Sequence, residues 1–115
     1  MHLTLTTDTL TITLTGLQKL WAFKRTPIVI DLSTVHEVSL QDPEFHWKTI
    51  RAPGTSIPKI FHAGTFYTPL GKEFWYFQWN KPKLTLSLEG GEYQRVVLAP
   101  DRVEEWAANI QAQQT

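Results

Sequence analysis

The stretch LTLTTDTLTITLT, Leu3 to Thr15, alternates apolar and polar residues with a period of two. Leu3 and Leu5, then Leu10, Ile12 and Leu14, share one side of an extended chain, a set that no helix keeps on one face. The intervening threonines are β-branched and fit the pleated, solvent-facing side. Two half-buried antiparallel strands around a turn at Thr7–Asp8 follow from this pattern. The same alternation returns in KLTLSLEGG through Leu84, Leu86 and Leu88, and Gly90–Gly91 turns that strand into a further one in EYQRVVLA.

Between these hairpins the spacing is less regular. In GLQKLWAF, Leu17, Leu20 and Trp21 fall at i, i+3 and i+4, which suits a short helical turn. TPIVIDL reads as a strand with Ile28, Ile30 and Leu32 on one face and Pro27 at its mouth, where a missing N–H does no harm. STVHEVSL continues as another strand to Leu40, and Pro43 ends it. Residues 45–69 have no clean period. Pro53-Gly54, Pro58 and Ala63-Gly64 make corners there, while Phe45, Trp47, Ile50, Ile57, Ile60, Phe61 and Phe66 speak for order. This passage is expected to pack as a cover, 45–66, over the barrel's indoles.

GKEFWYFQW sends Phe74, Tyr76 and Gln78 one way and Trp75, Phe77 and Trp79 the other. Both sides are bulky and apolar, so this strand needs covering on both faces. The last segment is a helix. Asp101 followed by Glu104 has the spacing of a capping box, and Val103, Trp106, Ala107 and Ile110 form one apolar stripe.

Composition narrows the function classes. At 115 residues the chain fits one domain, 1–115, and can bury roughly two-thirds of its unfolded surface. Eleven Lys plus Arg balance eleven Asp plus Glu, so the basic surplus of a general nucleic-acid binder is missing. There is no cysteine, which excludes disulfides, thiolate zinc sites and a cysteine nucleophile and is compatible with a cytoplasmic location. The first ten residues lack a basic region and a long apolar run, so no signal peptide is expected, and no stretch approaches the ~20 apolar residues of a membrane span.

The aggregate of short strands and one C-terminal amphipathic helix carrying a tryptophan resembles the pleckstrin-homology-like (PH-like) fold. RAPGTSIPKIFHAGTF, KEFWYF and the strand leading through Pro100 to the helix resemble small bacterial PH-like proteins. The residues that carry this are Arg51, Pro53, Gly54, Pro58, Gly64, Thr65, Phe66, Phe74, Trp75, Pro100 and Trp106. The resemblance implies a mainly β protein: a partly open β-barrel of about seven antiparallel strands in two near-orthogonal sheets, with a C-terminal α-helix over one open end. That group mostly lacks an assigned biochemical role. Phosphoinositide-binding PH domains place Lys and Arg in the first hairpin. LTLTTDTLTI has none and carries Asp8 at its tip, so the donors that phosphate recognition needs are missing and phosphoinositide is not an expected ligand.

No catalytic constellation is present. His2, His36, His46 and His62 show no metal-ligand spacing and read as surface or capping residues; PGTS is a turn, not a nucleophile elbow. Glu104 and Glu105 lie on the solvated side of the helix, and Glu89 and Glu92 flank a glycine turn. No metal, cofactor or catalytic residue is expected. Arg51 either pins its loop and stacks on Trp47 or Trp75, or clamps a carboxylate or phosphate. Charge is uneven: 31–44 holds Asp31, Glu37, Asp42 and Glu44 without a base, and 45–72 holds Lys48, Arg51, Lys59 and Lys72 without an acid, which suggests internal pairing between the two. The expected function is a non-enzymatic interaction module, engaging a protein partner or a second copy, with Trp47, Tyr67 and Trp79 as interface candidates. The alternative is anion or lipid-headgroup binding by the acid-free segment 45–72 through Lys48, Arg51, Lys59 and His62. A small enzyme is the third and least expected reading.

Overall fold

The computed structural model describes residues 2–14, 16, 27–41, 50–57, 61–68, 71–78, 80–90 and 92–114, with the backbone alone for 50–57, 61 and 68. The expected helical turn at 17–23 lies outside the described residues, as do His46, Trp47, Lys48, Lys59 and Trp79.

The molecule is mainly β, with two sheets and one C-terminal helix. β1 (His2–Leu5), β2 (Thr9–Thr13) and β3 (Ile28–Asp31) form a three-stranded antiparallel sheet in that order. β4 (Val35–Ser39), β5 (Ile50–Ile57), β6 (Phe61–Thr68), β7 (Gly71–Gln78), β8 (Leu84–Leu88) and β9 (Arg95–Leu98) form a second sheet, ordered β4-β8-β9-β7-β6-β5. α1 is Val103–Gln114. The first hairpin forms as its alternation requires, with Leu3 opposite Ile12 and Leu5 opposite Leu10. Thr6 closes its turn: its N–H donates to the Thr9 carbonyl (2.9 Å) and its Oγ1 accepts from the Thr9 N–H (3.1 Å).

A single corner carries the chain from one sheet to the other. Asp31 caps a 3-10 turn at Leu32–Thr34: its Oδ1 accepts from the Ser33 N–H (3.1 Å) and Ser33 Oγ (2.9 Å). The end of α1 is pinned to this corner, since Gln114 Nε2 donates to the Val35 carbonyl at 2.6 Å. On the buried side of α1, Val103, Ala107 and Ile110 join the main core with Leu10, Ile12, Leu84, Leu86, Phe74 and Leu98, and Trp106 packs half-buried against it.

Three expectations need correction. The described residues hold nine strands rather than about seven, and β7 pairs with β9 in parallel, Glu73 opposite Arg95 and Trp75 opposite Val97. The two sheets remain separate ladders, which is compatible with the partly open arrangement in two sheets. The passage expected to fold as a cover is, over most of its length, the hairpin β5–β6, which extends the second sheet instead of lying across it; 45–49 and 58–60 lie outside the described residues. Pro53 explains the irregular spacing. It sits where the β5–β6 register slips between Arg51 and Gly54, and a bulge takes a proline that a regular ladder could not.

The capping box does not form. The first helical bond is from the Trp106 N–H to the Arg102 carbonyl (3.2 Å), which makes Arg102, not Asp101, the residue flanking α1. Arg102 holds φ = 56°, a left-handed conformation that costs a non-glycine residue about 1 kcal/mol or more. Its exposed ion pair to Glu105 (3.6 Å) recovers little of that. Arg102→Gly is therefore expected to stabilise the protein by up to about 1 kcal/mol, read as a raised urea midpoint at unchanged slope.

Candidate functional site

Three places combine polar chemistry with shape. The first is the face of the second sheet opposite the main core. Alternation along β7 puts Glu73, Trp75 and Phe77 there; β6 adds His62 and Phe66, and β9 adds Arg95 and Val97. Phe66 stacks on Trp75 with centroids 4.2 Å apart, and the position opposite Trp75 on β6 is Gly64, which has no side chain to compete for the space. Trp75 and Phe77 are buried while Phe74 and Tyr76 pack on the other face, so this strand is covered on both sides as its sequence requires.

Two charged residues are buried on that face. Glu73 is 1% exposed, and its carboxylate accepts from Arg95 Nε (2.6 Å), Trp75 Nε1 (2.8 Å) and Gln94 Nε2. The parallel register places Arg95 beside Glu73, which explains a pair 22 positions apart. Lys83 is equally buried; its Nζ donates to the Lys81 carbonyl (3.3 Å) and lies 5.5 Å from the Phe77 ring centre. A carboxylate held by three donors is committed to holding strands together.

His62 is enclosed by aromatic rings, with centroids 5.3 Å from Phe77, 5.7 Å from Trp75 and 5.9 Å from Phe66. The residue is half-buried against these rings rather than free on the surface. Burial among these rings lowers its pKa below the ordinary 6.5. The folded state then favours the neutral imidazole, so the contribution of His62 is complete above pH 6.5. It is lost as the pH falls from there through the lower folded value. His62→Phe is expected to flatten the pH dependence of unfolding free energy below pH 6.5, measured by urea titration at several pH values; an unchanged slope contradicts the assignment.

The second place is a cleft of about 290 Å³ at the seam between the sheets. β3 forms one wall and the β8–β9 connection the other, with Val29, Asp31, Leu88, Glu92 and Tyr93 among its lining. Val29 is 63% exposed, while Tyr93 is 4% exposed and its hydroxyl bonds to none of the described residues. Lys72 Nζ donates to Glu92 Oε1 at 2.7 Å and lies 5.0 Å from the Tyr93 ring centre; the Glu92 bond raises the lysine pKa. A third hollow, about 420 Å³, lies between the β7–β8 turn and the start of α1, where Lys81 and Arg102 are balanced by Asp101 and Glu104.

Of the residues of the expected anion site, only His62 has a described side chain. Arg51 lies opposite Phe66, four residues along β6 from His62, a separation of roughly 13 Å along the strand. The Arg51 side chain lies outside the described residues, with all of Lys48 and Lys59. Of the interface candidates, Tyr67 is 47% exposed, and Trp47 and Trp79 lie outside the described residues. His2 and His36 are exposed. Of the charged residues in the expected pairing of 31–44 with 45–72, Asp31 binds Ser33 and Lys72 binds Glu92, while Asp42, Glu44, Lys48, Lys59 and the Arg51 side chain lie outside the described residues. Among the described residues no cluster of three metal-ligating side chains occurs, and no helix is long and apolar enough to cross a membrane.

Sequence reasoning missed the seam cleft and the Glu73–Arg95 pair. Val29 was the available signal for the cleft, an apolar residue on the outward phase of IVID. No family model, curated protein or solved structure matches the chain.

Proposed function

We propose that this protein is a non-enzymatic interaction module, PH-like in combining two β-sheets with a C-terminal helix, that engages another protein chain through a sheet edge. The observation that carries the reading is the pair of unclosed ladders, which leaves β1, β3, β4 and β5 as edges among the described residues. Unpaired backbone groups at an edge are a template for an added strand. β4 is guarded by a register shift between Val35 and Glu37 and by exposed charge at Glu37, but β3 presents exposed Val29 beside an open cleft.

The PH-like likeness is supported by the helix, whose Val103, Ala107 and Ile110 enter the core. The parallel β7–β9 pair departs from an all-antiparallel order, so the likeness proposed is one of layout. The non-enzymatic reading is supported by Glu73, whose carboxylate is bound by Arg95, Trp75 and Gln94. Anion binding is less favoured: burial keeps His62 neutral at pH 7. A cytoplasmic setting fits the cysteine-free chain.

Size-exclusion chromatography with light scattering tests the proposal, on purified protein and on protein recovered gently from cells. A mass above the monomer or a stoichiometric companion chain is expected. A strict monomer without a companion overturns it.

A further inference from the structure

The unpaired side of β3 has a definite chemistry. Hydrogen-bonded and non-hydrogen-bonded pairs alternate along an antiparallel ladder. The Leu32 N–H donates to the Asp8 carbonyl (2.9 Å), and this fixes the phase. Counting back along the register, Ile30 and Ile28 bond across to Leu10 and Ile12, while Val29 and Asp31 turn their backbone groups away from β2. The Asp31 carbonyl is taken by Thr34 Oγ1 at 2.7 Å. The N–H and C=O of Val29 and the N–H of Asp31 are left facing the seam, and no described residue bonds to them.

The surroundings select what can add there. Asp31 and Glu92 line the cleft, no basic residue stands among the described residues of its walls, and Glu89 follows Leu88 beside it. Lys72 offsets one of these three acids through its bond to Glu92. Among the described residues the balance is negative and exposed to solvent, so a basic side chain is attracted and an acidic one repelled. Between the acids, Val29 and Leu88 offer apolar contact.

We infer that the outer edge of β3 accepts an extended peptide segment of another protein, paired to Val29 and Asp31, with a lysine or arginine set between Asp31 and Glu92. The inference rests on the interaction-module reading and names the partner's chemistry.

The probe is a capped hexapeptide alternating valine with lysine, against the same peptide with glutamate for lysine, titrated into isotopically labelled protein at low salt. Saturable shifts of the Val29 and Asp31 amides are expected, with at least tenfold weaker binding of the glutamate peptide. Val29→Pro removes an outward N–H without removing a β2 bond and is expected to weaken the lysine peptide at least tenfold. Glu92→Lys leaves the strand untouched and is expected to reverse the preference between the peptides, so the inference stays testable should the proline variant not fold. Equal binding of both peptides, shifts that map away from β3, or no saturation overturns it. So does a wild-type dimer that Val29→Pro dissociates, because the occupant is then a second copy. A companion chain whose binding survives Glu92→Lys and leaves the Val29 and Asp31 amides unshifted removes this cleft as the site but leaves the module reading standing.

Discussion

Glu73→Ala is expected to lower stability by about 3–5 kcal/mol, the range for breaking a buried ion pair from one side. The carboxylate is 1% exposed, and its removal takes the ion-pair partner from the Arg95 guanidinium, itself 16% exposed, and an acceptor from the Trp75 indole. The loss is greater than that of a surface pair because the remaining charge stays out of water. Glu73→Gln keeps an acceptor for Trp75 and is expected to fall between wild type and alanine. The double replacement Glu73→Leu with Arg95→Met removes both charges and is expected to regain much of the loss. Urea unfolding of the four proteins reads this directly. If the Glu73→Ala and Arg95→Ala losses simply add in a double-alanine variant, the two residues are not coupled and the account of this face is wrong.

That pair also marks where sequence reading stopped. The alternating residues gave their own orientation: Leu10, Ile12, Ile28, Ile30, Leu84, Leu86 and Leu88 are all buried on the side their period assigns. The two-sided bulk of Phe74, Trp75, Tyr76 and Phe77 correctly required an interior strand. Which strand lies beside it is a non-local fact. RVVL on β9 would suit several neighbours equally, and nothing in its period specifies a parallel one.

β6 failed for a different reason. Its buried positions include Ala63 and Gly64, which are too small to register as apolar beats, so FHAGTFYT reads as corners while forming eight residues of ladder. Pro53 then hid its neighbour β5 by falling at the bulge. His62 took its character from Phe66, Trp75 and Phe77, three rings gathered by that same unrecognised pairing. The seam cleft depends on how two sheets meet, which no single strand's pattern encodes. Thus the site was less legible than the strands that build it.

The helix offers the second large effect. Ile110 is fully buried in the main core, so Ile110→Ala is expected to cost about 2–5 kcal/mol from lost burial and the cavity left behind. Alanine is the better helix former, which opposes that cost by a few tenths of a kcal/mol at most. A net loss in this range therefore measures docking rather than helicity. Asn109 is exposed one position earlier, and Asn109→Ala should change stability by no more than about 0.5 kcal/mol. Gln114→Ala, which removes the bond to the Val35 carbonyl at the corner, should cost about 1 kcal/mol. If α1 is part of the cooperative core, fluorescence and far-UV circular dichroism will report one shared transition in Ile110→Ala, at a lower urea midpoint. A helix that melts first, while the sheets unfold at the wild-type midpoint, would mean that α1 only rests on the two sheets and does not hold them to one another.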